Sequence, residues 1–217
     1  MTSRAAAAEA IGTGLLLAVI VGSGIMGERL AGGNAAIALL ANTVATGAGL
    51  AVLIATFAKV SGAHFNPVVT FSEAWFGRVE WRRVPSYVGA QVIGAVGGVA
   101  LANAMFELPL VSLSQHVRAG SAQFLSELVA TFGLLTVILH GAKRPEILPA
   151  VVGLYISAGY WFTASTAFAN PAVTIARSLS DTFAGIRPWD VPGFIGGECV
   201  GGVLAVCVYG WMADRAR

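Results

Sequence analysis

Asparagine followed by proline occurs at Asn66-Pro67 and again at Asn170-Pro171, in closely similar settings. The first reads Phe65-Asn66-Pro67-Val68-Val69-Thr70 and the second Ala169-Asn170-Pro171-Ala172-Val173-Thr174. Asn is a good N-cap and Pro suits the first helical position, so each pair reads as a helix start. Both interrupt apolar sequence, one in each half of the chain. A helix start at membrane depth leaves backbone polar groups that lipid cannot satisfy, so two matched ones suggest a pathway across a bilayer. Glu9 and Glu127 are acids within apolar runs and need partners there. As acceptors for loop N–H groups they are structural, and as proton carriers they would belong to a transporter. His64 either lines the pathway or packs as a brace for the loop. His116, in a loop, and His140, at a span end, read as surface residues.

The elements that must hold these residues follow from apolar length. A bilayer crossing takes about 20 mostly apolar residues, and six stretches qualify: 5–26, 35–58, 84–104, 121–140, 147–168 and 191–212. Two shorter pieces, 67–76 and 171–183, follow the Asn-Pro pairs. Such half-length, re-entrant segments are tolerated only when buried in protein or lining a cavity. With an even number of spans both termini share a side. Arg4, Lys59, Arg78, Arg82, Arg83, Lys143, Arg144, Arg215 and Arg217 fall there, against Arg29, Arg118, Arg177 and Arg187 opposite. That excess predicts cytoplasmic termini and a multi-pass protein of the cell membrane.

Composition agrees. The 217 residues are 56% hydrophobic and 11% charged, where a soluble domain carries roughly 25% charged residues. A net charge of +2 is too small to imply nucleic acid. The 27 glycines suit close helix approach in a membrane. The run after Arg4 is too long for a signal-peptide core, so it reads as the first span. Cys199 and Cys207 lie eight residues apart on one stretch, roughly 12 Å along a helix and beyond disulfide reach. They read as buried, inert thiols rather than metal or arsenic ligands, and neither metal nor cofactor is expected.

The chain also repeats itself. Glu9 and Thr13 are echoed by Glu127 and Thr131, and Gln91 with Gly94 by Glu198 with Gly201. Three spans per repeat is an odd number, so repeats near 1–110 and 115–217 have opposite membrane orientation within a single channel domain. Inverted repeats of this kind place a solute site near the midplane.

On these residues the sequence resembles the major intrinsic protein family, the aquaporins and aquaglyceroporins. Ser61-Gly62-Ala63-His64-Phe65-Asn66-Pro67-Val68-Val69-Thr70 looks like the first family signature, with Val68 where Ala is usual. Asn170-Pro171-Ala172 is the second, and Glu9 and Glu127 match the family's glutamates in spans one and four. The resemblance covers essentially the whole chain. It implies an all-α fold of six membrane helices and two re-entrant half-helices, assembled as a homotetramer with a pore in each subunit. Asn66 and Asn170 would then meet near the midplane and donate to a passing solute, and opposed half-helix N-termini would repel cations.

A second position, besides Val68, departs from the pattern. Most family members have Arg three residues after the second Asn, where this chain has Val173. Counting without gaps gives a filter of Thr46, Ala158, Phe168 and Val173, with Gly159 replacing Ala158 if one gap intervenes. This filter is uncharged, partly apolar and wide. The pattern resembles arsenic-resistance-associated bacterial aquaglyceroporins, which implies passage of arsenite or methylated arsenicals, glycerol-like solutes and water. Arg177 lies one turn beyond Val173 on the same helix face. It either lines an outer vestibule or sits at the surface paired with Asp181, the simpler expectation. A water-selective aquaporin and an ion-coupled secondary transporter are the alternatives. An intramembrane enzyme finds no Ser/His or paired-Asp arrangement to support it.

Overall fold

Helices form where the apolar runs meet suitable caps, and irregular backbone appears where side chains supply other partners. The computed structural model describes residues 3–214 and is helical without strands over them. Arg215 and Arg217, used in the charge count, lie outside the described residues. Helix α1 spans Ser3–Leu30 and α2 Ala35–Ser61. Asn34 caps α2 through its side chain, and Gly62 ends it in the left-handed region at φ 91°. The first half-helix, α3, is Pro67–Trp75, followed by α4 (Val84–Met105) and α5 (Ser121–Gly141). Helix α6 covers Leu148–Phe162, the second half-helix α7 is Pro171–Arg177, and α8 is Val191–Asp214.

Five of these helices are long and apolar enough to cross a membrane, and α6 is a shorter apolar helix of 15 residues. The sequence expectation carried span five to residue 168. The helix instead stops at Phe162, because the backbone beyond it turns left-handed at Thr166, Ala167 and Ala169. Hydropathy cannot see that change, since 164–169 is still mostly small and apolar. Likewise α7 ends at Arg177 rather than near 183. The following loop folds back, with Ile186 N donating to Arg177 O at 3.4 Å.

Packing is paired across the two halves. Helix α1 packs chiefly on α4 and α2, α5 on α8, and α2 on α6. The α1–α4 seam is closed by glycine. A Cβ at Gly98 would stand 2.0 Å from Gly14 O, and one at Gly94 would stand 2.1 Å from Ala10 O. The α5–α8 seam matches it, since a Cβ at Gly201 would stand 2.2 Å from Leu128 O. Small residues let backbones approach where lipid gives no hydrophobic drive between helices. Large apolar side chains such as Val44, Ile93, Leu154 and Val203 point outward, as a lipid-facing surface requires.

The cysteines correct an expectation. Cys199 and Cys207 are free and exposed rather than buried. Gly197 and Gly201 put the opposite face of α8 against α5, so Cys199, two residues from each, faces outward.

Candidate pore

Each Asn-Pro pair forms a helix start in which the Asn side chain has two tasks. Asn66 Oδ1 accepts from Val68 N at 2.9 Å, and Asn170 Oδ1 accepts from Ala172 N at 3.0 Å. This fixes the amide orientation and aims each Nδ2 across the centre of the molecule. Asn66 Nδ2 donates to Ala169 O at 2.7 Å, and Asn170 Nδ2 donates to Phe65 O at 2.8 Å. The two motifs are therefore clamped reciprocally, although 104 positions apart in sequence. An amide NH2 has two hydrogens, so each Asn keeps one donor beyond the clamp, and both residues line the central cavity. Pro67 and Pro171 occupy the first turns of α3 and α7, and the adjoining Val68 and Ala172 are buried against the core.

The segments entering each Asn are strained and held by carboxylates. Ala63, Phe65, Ala167 and Ala169 have positive φ, between 47° and 51°, at a cost of order 1–3 kcal/mol each. Glu9 accepts from His64 N at 3.0 Å and Phe65 N at 2.7 Å, and also from Ser61 Oγ and Gln91 Nε2. Glu127 accepts from Phe168 N at 3.0 Å and Ala169 N at 2.7 Å. Both acids are fully buried. With the loop N–H groups engaged at the back, the loop residues Gly62–Asn66 and 167–170 line the cavity. A second tier repeats too. Gln91 Nε2 donates to Thr70 Oγ1, while Glu198 Oε1 accepts from Thr174 Oγ1 and Asn170 N.

The cavity has a volume of about 520 Å³. One wall is apolar, with Thr46, Leu50 and Ile54 in one stripe of α2 and Leu148, Val152, Ile156 and Tyr160 in one stripe of α6. Facing it runs the polar strip of the two entering loops and both Asn side chains. At one end lie Glu73, Arg78, Lys143 and Tyr209, with Arg78 and Glu73 paired at 2.9 Å. At the other end lie Phe168, Val173 and Arg177. His64 lines the cavity and is braced as well. Its Nδ1 sits 3.1 Å from Thr70 Oγ1, and its ring lies 5.2 Å from that of Tyr87.

Four filter positions were expected, and three of them line this cavity: Thr46, Phe168 and Val173. Ala158 does not. It is exposed on the outer side of α6, because residues two apart on a helix point to different faces. Gly159 packs against Ala167 instead, where an added Cβ would stand 2.6 Å from the Ala167 Cβ. The residue of α6 at this level is Tyr160, whose hydroxyl donates to Thr46 Oγ1 at 3.2 Å. The gapless count from Asn170 led instead to Ala158, two residues away and on another face of α6. The stripe Val152–Ile156–Tyr160, spaced by four, was the signal that could have found it.

Arg177 corrects another expectation. It is 2% exposed and is not paired with Asp181, whose Oδ1 accepts instead from Gln115 N. The Arg177 Nε donates to Ala184 O, and its guanidinium lies over the Phe168 ring at 3.4 Å from the centroid. Arg118, from the α4–α5 connection, stands 5.2 Å from the same centroid. Its Nε donates to Gly185 O at 2.8 Å and its Nη1 to Ser165 O at 3.3 Å. Burial lowers the Arg118 guanidinium to about 10, which leaves it charged at neutral pH. His116, whose carbonyl accepts from Arg187 N, is exposed as expected, and so is His140.

Residues 1–163 match the family described as major intrinsic protein. The chain belongs to the major intrinsic protein family. It is 53% identical over 216 residues to the aquaglyceroporin AqpS of Rhizobium meliloti (strain 1021), covering 99% of this chain and 92% of that protein. It is 30% identical to a probable glycerol uptake facilitator protein of Thermotoga maritima, covering 94% and 97%. The solved aquaglyceroporin from Plasmodium falciparum superposes with a TM-score of 0.75 at 21% identity, over 95% of this chain and 94% of that one. That likeness establishes the aquaporin fold. The chain is accordingly a multi-pass membrane channel for small solutes and not an enzyme. The second Asn-Pro motif lies beyond the residues matched to the family, and it is tied to the first by the reciprocal Asn clamp.

Proposed function

We propose that this channel passes small uncharged solutes larger than water, including glycerol-like polyols and arsenite or methylated arsenicals, together with water itself. The observation that carries the reading is Val173 beside the cavity at the level of Thr46, Tyr160 and Phe168. A guanidinium at position 173 would be bulky and would bring a rigid fork of donors, and Val brings neither. Tyr160 narrows the mouth relative to a filter with Ala158, while its hydroxyl and Thr46 supply hydrogen-bonding groups opposite the apolar rings. A solute with both hydroxyl and hydrocarbon surface suits such a lining. The names of the relatives, an aquaglyceroporin and a glycerol uptake facilitator, favour the same class.

In this reading Asn66 and Asn170 each present the spare amide hydrogen to the solute, and the loop carbonyls accept from it in succession. Glu9 and Glu127 serve as anchors for the loops and do not shuttle protons across the membrane, which separates a passive channel from an ion-coupled transporter. The N-termini of both half-helices face the Asn clamp, so a cation meets the positive ends of both helix dipoles at the centre. The two halves act as inverted repeats, about 1–110 and 115–217, and the termini are cytoplasmic. The Lys143 end of the cavity is then inside and the Arg177 end outside. The subunits assemble as a homotetramer, for which the apolar outer face gives ample surface. The test is stopped-flow permeability of the purified protein in liposomes for water, glycerol and arsenite. Fluxes of all three that persist after collapse of the proton gradient are expected. A protein that conducts water alone would overturn the solute assignment.

A further inference from the structure

Two guanidiniums converge on one phenyl ring at the Arg177 end of the cavity, and neither has a carboxylate partner. The ion pairs among the described residues are Arg78–Glu73, Arg82–Glu80, Arg83–Glu80 and Arg187–Asp190. The nearby acids are committed elsewhere. Asp190 accepts from Arg118 N and Arg187 Nη2, Asp181 from Gln115 N, and Glu127 from two loop N–H groups. A buried charge without a partner is costly, and Arg177 at 2% exposure is such a charge.

Its geometry leaves donors to offer. Arg177 stacks its flat face on Phe168, whereas the five N–H bonds of a guanidinium lie in the plane of the group. Nε is taken by Ala184 O. The terminal nitrogens have no protein acceptor among the described residues, and the side chain lines the cavity. Paired N–H groups in one plane match two oxygens of a carboxylate, sulfonate or phosphonate. Arg118, fixed by Gly185 O and Ser165 O, adds a second positive charge beside the same ring.

We propose that Arg177, with Arg118 beside it on the Phe168 ring, forms a binding site for a small singly charged oxyanion at that end of the cavity. The bound anion lies across the solute route and reduces neutral flux. Val173 is what makes room for it, since a third guanidinium one turn inward would compete for the same oxygens. The flux readout rests on the channel reading above, so binding is also measured on its own.

Methanesulfonate is the probe, because it stays singly charged and does not cross lipid as a neutral acid. Glycerol permeability of proteoliposomes is compared in methanesulfonate and in chloride at equal ionic strength. The wild type should be slowed by methanesulfonate in a saturable manner. Arg177→Gln should need roughly tenfold more of it, the factor expected for loss of a charge-assisted bond. Arg177→Lys, which keeps the charge and loses the fork, should fall between. Arg118→Gln should weaken the effect too, and provides a second variant if Arg177→Gln does not fold. Equal slowing of wild type and Arg177→Gln, or no slowing of the wild type, overturns the site. If glycerol does not permeate at all, the channel reading fails, and the site is judged by the 13C methyl line of labelled methanesulfonate added to protein in micelles. Broadening that Arg177→Gln removes supports it, and an unchanged line refutes it.

Discussion

At the scale of single residues, the proposed selectivity turns on what stands beside Phe168. Val173 leaves an opening that a guanidinium at the same position would fill, so Val173→Arg should cut glycerol and arsenite flux more than water flux. Stopped-flow traces for the three solutes check this, and equal loss of all three in assembled protein would move the constriction elsewhere. Tyr160 contributes a ring and a hydroxyl, with its donor resting on Thr46. Tyr160→Phe keeps the ring and leaves Thr46 without that donor. It should spare water permeability and lower polyol permeability severalfold, measured as the glycerol-to-water ratio. Arg177 is held by Ala184 O and the Phe168 face. Arg177→Ala should therefore alter the ranking of solutes, and an unaltered ranking would show that the guanidinium does not face the traffic.

At the scale of elements, the loops before each Asn owe their shape to acids on neighbouring helices. Glu127→Ala would orphan the N–H groups of Phe168 and Ala169, at about 1–3 kcal/mol for each buried donor. The expected result is a protein of lower melting temperature and little flux, and Glu127→Gln should recover part of both. The seams are equally specific: Gly98→Val drives a side chain at Gly14 O and should abolish folding in detergent, read by gel filtration. Much of this was legible in the sequence. The Asn-Pro pairs marked both half-helices, and Glu9 with Glu127 announced buried acceptors, because such residues are expensive in lipid without a task. The errors have a common cause. Hydropathy reads side chains, whereas the end of α6 is set by backbone that turns left-handed among small apolar residues. Counting across that loop led to Ala158, which is exposed, whereas Tyr160 lines the cavity. Arg177 was misplaced because its partners, Phe168 and Ala184, come from segments that only the folded chain brings beside it.

At the scale of the whole molecule, the cavity is a joint product of both halves. Its apolar wall comes from α2 and α6, and its polar strip from the loops leading to Asn66 and Asn170. In the proposed reading small solutes pass along hydrogen-bonding groups that are fixed in place, while the clamped centre presents donors to any cation that arrives. Sealed liposomes bearing the protein should therefore show no proton current above that of empty ones under an imposed pH gradient, despite Val173, and a measurable current would contradict the arrangement. The reciprocal bonds of Asn66 and Asn170 to Ala169 O and Phe65 O also bear on biosynthesis. A ribosome delivers the first motif long before the second. Until α6 and α7 are inserted, the first half has neither the opposite wall nor the acceptor that closes its loop. A nascent or truncated chain thus holds no finished conduit, and the cell's permeability barrier is kept while the channel is still being made.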